Sequence, residues 1–544
     1  MLRKAAPASV IAVAAAVVAV LAAVVPTPVS AGAGSHRHAP ATWVLGPVYA
    51  TGCPVYARCG SGDDMAGEVT SDLDQLASHD IPVAGYLFDG SGWSSGACTW
   101  ALGDQLIERL STANVRATLH VWGGCDTVDQ LYGVYGRLGD VLGAFYLDER
   151  STDAFAGAAF DAMRSLTTDG EVVMKAYQGD GRETDAGLAA CGHTAYVNDL
   201  DADFGGMRNG IARVFGKRTL LAAPYNEFTG YDGRRDALTE EAYFRRLHWG
   251  AMQMVMEHDC VWDCDPWGSR YASYSPALLS AYRYYTWLHT ELVPYLHSYD
   301  YQMYETGEPV FRESDPTKYT TKLGDELFVA YVTQPGLRAL DVTLPAGQWI
   351  NYWNELEMYD GGSTIAYPVP LGREPIFIRN GAVIPMRVSR DYTGHGTSAS
   401  AGSLTVLVYP SGDSSFAYRD EGYWLTFSSG LYGGVLTLSA SRAPSQPVIY
   451  RVGRWTKEPF TVRVDGNTVI VNERDAGPRA VHMTSEDAVN AAPVSAWYYD
   501  GSAGRLIVKV VAQTVPRVDP TRAYDARPRL MDATPFRLLP RWEW

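Results

Sequence analysis

Residues 143–152 read GAFYLDERST. An apolar run, Ala144 to Leu147, stops at Asp148, Glu149 and Arg150. Near-continuous apolar runs are the signature of parallel strands covered on both faces. In closed α/β barrels the groups that do chemistry sit where such strands end. The same texture recurs from residue 43 onward. WVLGPVYA begins at Trp43, IPVAGYLFD closes on Asp89, and RATLHVWGG runs past Trp122. GAFYLDE carries Asp148, EVVMKAYQG carries Tyr177, and TAYVND closes on Asp199. LLAAPYNE closes on Glu227 and AMQMVMEHD on Asp259. Helix-like segments such as DQLIERLSTA and AFDAMRSLTT lie between them. Alternating strands and helices argue for a parallel sheet, and eight such units predict a closed (β/α)8 TIM barrel over 41–310. A doubly wound open sheet is the alternative, but the Gly-rich phosphate turn it usually carries is missing.

Beyond residue 270 the texture changes. SPALLSAYRYYTWLHTELVPYLHSYDYQMYETG reads as one long aromatic helix, with a break expected at Pro294. From about 320 short alternating runs punctuated by Gly, Pro and Asn predict two all-β sandwich modules, 311–390 and 400–515. RDYTGHGTSASAGS, 390–403, reads as the linker between them. The Pro- and Arg-rich end, 516–544, has no clean period and reads as a tail.

The chain has 544 residues and a formal net charge of −16, with acid spread along its length. That balance argues against nucleic acid or an anionic membrane as the main partner. Arg3 and Lys4, the apolar stretch Val10–Val25 and the small-residue site Val29-Ser30-Ala31 predict a signal peptide over 1–31, hence a secreted protein; an uncleaved membrane anchor is the alternative. Cys53, Cys59, Cys98, Cys125, Cys191, Cys260 and Cys264 then predict disulfides, with pairing open and one thiol left over. No CxxC or HExxH spacing supports a metal, and no N-x-[ST] acceptor is present.

Asp148 and Asp199 lie 51 residues apart. That is two β/α units, so the pair is expected on the fourth and sixth strands, facing each other across the mouth. Facing carboxylates are the basic equipment of glycoside hydrolysis. A charge at a strand end is also a common helix N-cap. Convergence of Asp89, Asp148, Asp199, Glu227 and His258 on one face favours a site.

Several longer stretches resemble glycoside hydrolase family 31, the retaining α-glucosidase and α-xylosidase family. They are EAYFRRLHWGAMQMVMEHD followed by DPW, RYYTWLHTELVPYLHSYDYQMYETGEPVFR, GDELFVAYVTQPGLRALDVTLPAGQWINYWNE, PLGREPIFIRNGAVIPM and LTVLVYPSGDSSFAYRDEGY. Their order is the family's, and the resemblance spans about 43–510. It implies that FYLDERS carries the nucleophile Asp148, with Glu149-Arg150-Ser151 where Met-Asn-Glu is usual. It implies that VNDLDADF carries the acid/base Asp199, with Asn198 in place of Gly. It makes Asp89 of LFDGSGW, Glu227 of YNEFTGY and His258 of MEHD sugar ligands, with Trp100 lining the pocket. Glu227 stands where the family has Asp, and Met256 is read where it has Arg. The β-sandwich that precedes the family's barrel has no counterpart between the signal and residue 43. The implied activity is a secreted retaining α-glycosidase cleaving terminal α-linked sugars through a glycosyl-aspartate intermediate, with no cofactor. A catalytically silent, carbohydrate-binding relative is the alternative. The implied partner is an oligosaccharide or α-glycoside.

Overall fold

The protein is described by a computed structural model. It describes residues 42–50, 62–88, 103–121, 128–147, 173–178, 194–197, 203–214, 220–224, 238–259, 265–267, 274–473 and 479–511.

Each of the eight apolar runs contains one strand: β1 Val48–Ala50, β2 Gly85–Phe88, β3 Arg116–Val121, β4 Leu142–Leu147, β5 Val173–Gln178, β6 Thr194–Val197, β7 Leu220–Pro224 and β8 Val255–Asp259. They pair in parallel in chain order, and β8 pairs back on β1, closing the sheet. The register gives the barrel its geometry. From Glu257 the hydrogen-bonded row runs through Val48 and Gly85 to Arg116. Returning to Glu257 through β4 to β7 requires four climbs of two residues, to positions 118, 146, 196 and 224. A shear of eight is what closes eight strands into a filled barrel, in which alternate strands supply each interior layer. Leu87 and Glu257 belong to one such layer.

Helices α1 Gly62–Ser78, α2 Asp104–Ala113, α3 Val128–Leu138, α4 Phe204–Val214 and α5 Glu240–Ala251 follow strands 1, 2, 3, 6 and 7. The first turn of α5 is capped by Thr239, whose hydroxyl accepts from Ala242 N–H, and Glu240 and Glu241 favour the positive helix end. The long helix α6, Pro276–Thr306, runs unbroken through Pro294. Proline removes one helical hydrogen bond and costs about 3 kcal/mol in an exposed helix. Here the surrounding turns are buried, from Leu288 to Leu296, so packing on both sides keeps the helix continuous through it.

The all-β part forms two pairs of sheets. In the first, β9 Phe311–Asp315, β10 Thr320–Leu323, β11 Leu327–Ala330, β13 Gln348–Asn351, β14 Asn354–Asp360 and β16 Ile376–Arg379 make six strands in the order β14-β13-β16-β11-β10-β9, facing the pair β12 Ala339–Thr343 and β15 Thr364–Pro368. Phe328, Trp349, Val342, Tyr367 and Phe377 fill the space between. In the second, β17 Val383–Met386, β18 Leu404–Val408, β22 Val448–Val452, β25 Val481–His482, β26 Ala496–Asp500 and β27 Arg505–Val510 form one sheet. The other contains β19 Asp413–Asp420, β20 Tyr423–Tyr432, β21 Val435–Ala440, β23 Val462–Asp465 and β24 Thr468–Val471. β17 precedes the 390–403 segment in sequence yet hydrogen-bonds to β18 beyond it, so the two modules share a boundary strand.

Candidate active site

In a parallel barrel all C-terminal strand ends share one face. Here β2 ends at Phe88, β4 at Leu147, β6 at Val197 and β7 at Pro224. The predicted residues Asp89, Trp100, Asp148, Asp199 and Glu227 lie outside the described residues, as do all seven cysteines. In sequence, Asp89 and Asp148 directly follow the last residues of β2 and β4.

His258 is described, and its surroundings differ from those expected of a sugar ligand. Its ring stacks on Tyr49 of β1, centroids 4.5 Å apart at 20°. Its Nδ1 lies 3.1 Å from the Tyr282 hydroxyl of α6. The residue is 1% exposed, and burial pushes its pKa down to about 3, so it is neutral. Tyr49 pairs in register with both His258 and Tyr86, and Tyr86 donates to Asp72 of α1 at 2.7 Å. These three rings therefore point outward, into the layer between strands and helices. The Tyr49 hydroxyl donates to Asp265, and its ring stacks on Trp267 at 5.9 Å, tying the chain after β8 to β1. His258 is thus a packing residue that joins sheet to helix.

Alternation along β8 then decides the rest. Met256 shares the outward face with His258, so it does not stand at an inward, ligand-facing position. Glu257 faces the barrel interior and is fully buried. Its layer lies directly beneath the C-terminal strand ends. The sequence reading passed over Glu257, although a charged residue inside an apolar strand is itself a signal. Among the described residues no cluster of His, Cys, Asp or Glu has the arrangement of a metal site.

Comparison with known proteins finds similarity to one family over part of the chain. Residues 300–384, the end of α6 and the first β module, match the model of the Glycosyl hydrolase family 31 C-terminal domain. Over those residues the chain is similar to the family 31 C-terminal domain. Its relatives include a 1,6-alpha-glucosyltransferase of Sporosarcina globispora, 35% identical over 160 residues, which are 27% of this chain and 12% of that protein. An isomaltosyltransferase of the same organism is 24% identical over 335 residues, 56% of this chain and 29% of that one. The chain thus spans under a third of the length of these two relatives. Alpha-glucosidase 2 of Bacillus thermoamyloliquefaciens is 28% identical over 206 residues, 34% of this chain and 25% of that one. Among solved structures, the cycloalternan-forming enzyme of Listeria monocytogenes, in complex with a pentasaccharide substrate, has the same fold. It superposes at a TM-score of 0.71 with 18% identity, over 88% of this chain and 54% of that one. A family 31 dextranase of Flavobacterium johnsoniae complexed with glucose superposes at 0.67 with 16% identity, over 87% and 70%. The sequence similarity to the family model lies within residues 300–384, and the two solved structures share the fold.

Proposed function

We propose that the chain is an exported family 31 enzyme, a glycoside hydrolase or transglycosylase acting on α-glucosides and retaining configuration at the anomeric carbon. Its closed sheet is the core of a (β/α)8 TIM barrel over 41–310, followed by β modules over 311–390 and 400–515 and a tail over 516–544, with a signal peptide over 1–31. The observation that carries this reading is the join of a segment similar to the family 31 C-terminal domain to a closed parallel barrel whose fourth strand ends at Leu147, one residue before Asp148. In sequence, Asp89 and Asp148 each stand one residue past the end of their strands, and Asp199 stands two residues past Val197, the end of β6.

Chemistry follows from charge. The ionised Asp148 carboxylate attacks the anomeric carbon while Asp199 gives its proton to the departing glycosidic oxygen. A glycosyl ester forms and the aglycone leaves neutral. Asp199 then takes a proton from water, or from a sugar hydroxyl, whose oxygen displaces Asp148. Two carboxyls about 5–5.5 Å apart favour this route, since a like-charged neighbour and burial keep one protonated. The two Sporosarcina relatives are named as transferases, which favours an acceptor sugar over water in the second step.

Aryl α-glucosides separate the possibilities. A hydrolase releases aglycone and free glucose equally, whereas a transferase releases aglycone with less glucose and builds longer oligosaccharides. Saturable sugar binding with no aglycone release from any of a panel of aryl α-glycosides would leave a silent binding protein and end the enzyme reading.

The phase of β8 makes a further prediction. Glu257→Gln keeps volume but removes a charged acceptor, and should lower kcat/KM by roughly 10- to 100-fold with little change in Tm. His258→Phe should do the reverse, lowering Tm while kcat/KM holds. Equal kinetic losses in both variants would show that the inward and outward faces have been exchanged.

A further inference from the structure

Segment 387–403 has the composition of a linker, but the structure packs it as a strap across three parts of the molecule. Arg390 grips Asp80, which follows α1, with Nε 2.7 Å and Nη2 3.1 Å from the two carboxylate oxygens. The Tyr392 hydroxyl donates to the same carboxylate at 3.1 Å. The Arg390 guanidinium lies over the Trp287 ring of α6, 4.9 Å from its centroid. Thr397 and Ser400 close a reciprocal capping box on a single 3-10 turn, and Asn490 donates to Ser400 Oγ at 3.0 Å. Arg451 of β22 reaches the Gly394 carbonyl at 2.6 Å.

Between these anchors the strap covers one buried carboxyl. Glu291, in the middle of α6, has no solvent exposure. Its backbone carbonyl accepts from Arg387 N–H at 2.8 Å, and its Oε2 accepts from the Thr393 hydroxyl at 2.6 Å. His395 Nδ1 stands 3.5 Å from the same oxygen, in a residue 5% exposed. Oε1 of Glu291 has no hydrogen-bond partner among the described residues. A cavity adjoins His395, walled also by Met252, Leu288, Ile384, Leu407 and Tyr352. That wall offers little to solvate a full negative charge.

We propose that 387–403 is a proton-dependent strap. Protonated Glu291, bound by the Thr393 hydroxyl and lying beside a neutral His395 whose Nδ1 makes no hydrogen bond among the described residues, holds it against α6, and loss of the Glu291 proton releases it. The charged and titratable groups facing the pair are Arg451 and Arg505 from the second β module, Tyr352 from the first, and Tyr284 from α6. Arg451 is already engaged by Glu486, and Arg505 by Glu355 at 3.2 Å. Burial pushes the Glu291 carboxyl up to about 8, against the Thr393 hydrogen bond and Arg451. Burial, helped by Arg451 and Arg505, pushes His395 down to about 3. The closed strap therefore keeps one proton from about pH 3 to about pH 8. In a released strap, Glu near 4.3 and His near 6.5 would keep two below the first value and none above the second. Closure is favoured most between those two values. Above about pH 6.5 the closed form holds one more proton than the open form, so closure weakens with rising pH until about pH 8. Below about pH 4.3 it weakens as pH falls.

Hydrogen exchange of the full chain, corrected for intrinsic rates, reads this directly. Wild-type amides of 387–403 should lose roughly tenfold protection per pH unit between about pH 6.5 and 8, the slope of one proton. Amides of β8 should hold. Glu291→Gln, which cannot ionise, should keep strap protection flat across that range. Thr393→Val removes a donor to the carboxylate and should extend the wild-type decline to higher pH, a readout that survives if Glu291→Gln folds poorly. Flat wild-type protection, the same slope in Glu291→Gln, or a parallel loss in β8 would each overturn the proposal.

Discussion

Asp148→Ala should reduce aglycone release from an activated aryl α-glucoside by roughly 10⁴-fold or more, because the covalent route through the glycosyl ester is gone. Tm should be nearly unchanged or should rise, since an acid held for chemistry rather than packing is not needed by the fold. A small anionic nucleophile such as azide should restore part of the rate and give a product of inverted configuration, having entered where the carboxylate stood. Azide rescue separates loss of a nucleophile from loss of structure. A variant that kept more than a tenth of wild-type turnover would remove Asp148 from the mechanism.

Arg245→Met should give the largest loss of stability. Arg245 on α5 and Glu374 before β16 form an ion pair at 3.0 Å, with both side chains wholly buried. The guanidinium also donates to the Val369 carbonyl at 2.8 Å, and Tyr285 of α6 donates to the other Glu374 oxygen. One junction thus ties two barrel helices to the first β module. Burial raises the Glu374 pKa even though Arg245 opposes it, which measures how poorly the site tolerates charge. Removing Arg245 leaves that carboxyl buried without its counter-ion, at a cost of about 3–5 kcal/mol by chemical denaturation. Arg245→Met combined with Glu374→Leu should recover part of the loss, because neither buried charge remains. A double variant as unstable as the separate losses added together would mean that the two side chains act independently.

Most of the architecture was legible because it rests on local pattern. All eight apolar runs became strands, and the change from helix-spaced to alternating apolar residues near 320 marked the β modules. The phase of β8 was not legible. Glu257, His258 and Asp259 are three polar residues in succession, so a period of two has no apolar partner to choose the inward set. Pairing of His258 with Tyr49, more than 200 residues away, makes the choice. The break expected at Pro294 failed for a related reason, since the packing that keeps α6 continuous comes from elements distant in sequence. Small polar residues made 390–403 look like a linker. The same Thr, Ser and Gly residues supply its caps and tight turns, and its anchors, Arg390 and His395, find their partners only in the folded molecule.

The central claim is that two carboxylates meet across the mouth of the barrel, and a crystal structure with a bound α-glucoside tests it most directly. The account predicts Asp148 and Asp199 on opposite sides of the glycosidic bond, about 5–5.5 Å apart, with an Asp148 oxygen in line with the anomeric carbon. A separation beyond about 9.5 Å, or a sugar seated away from both, would contradict it.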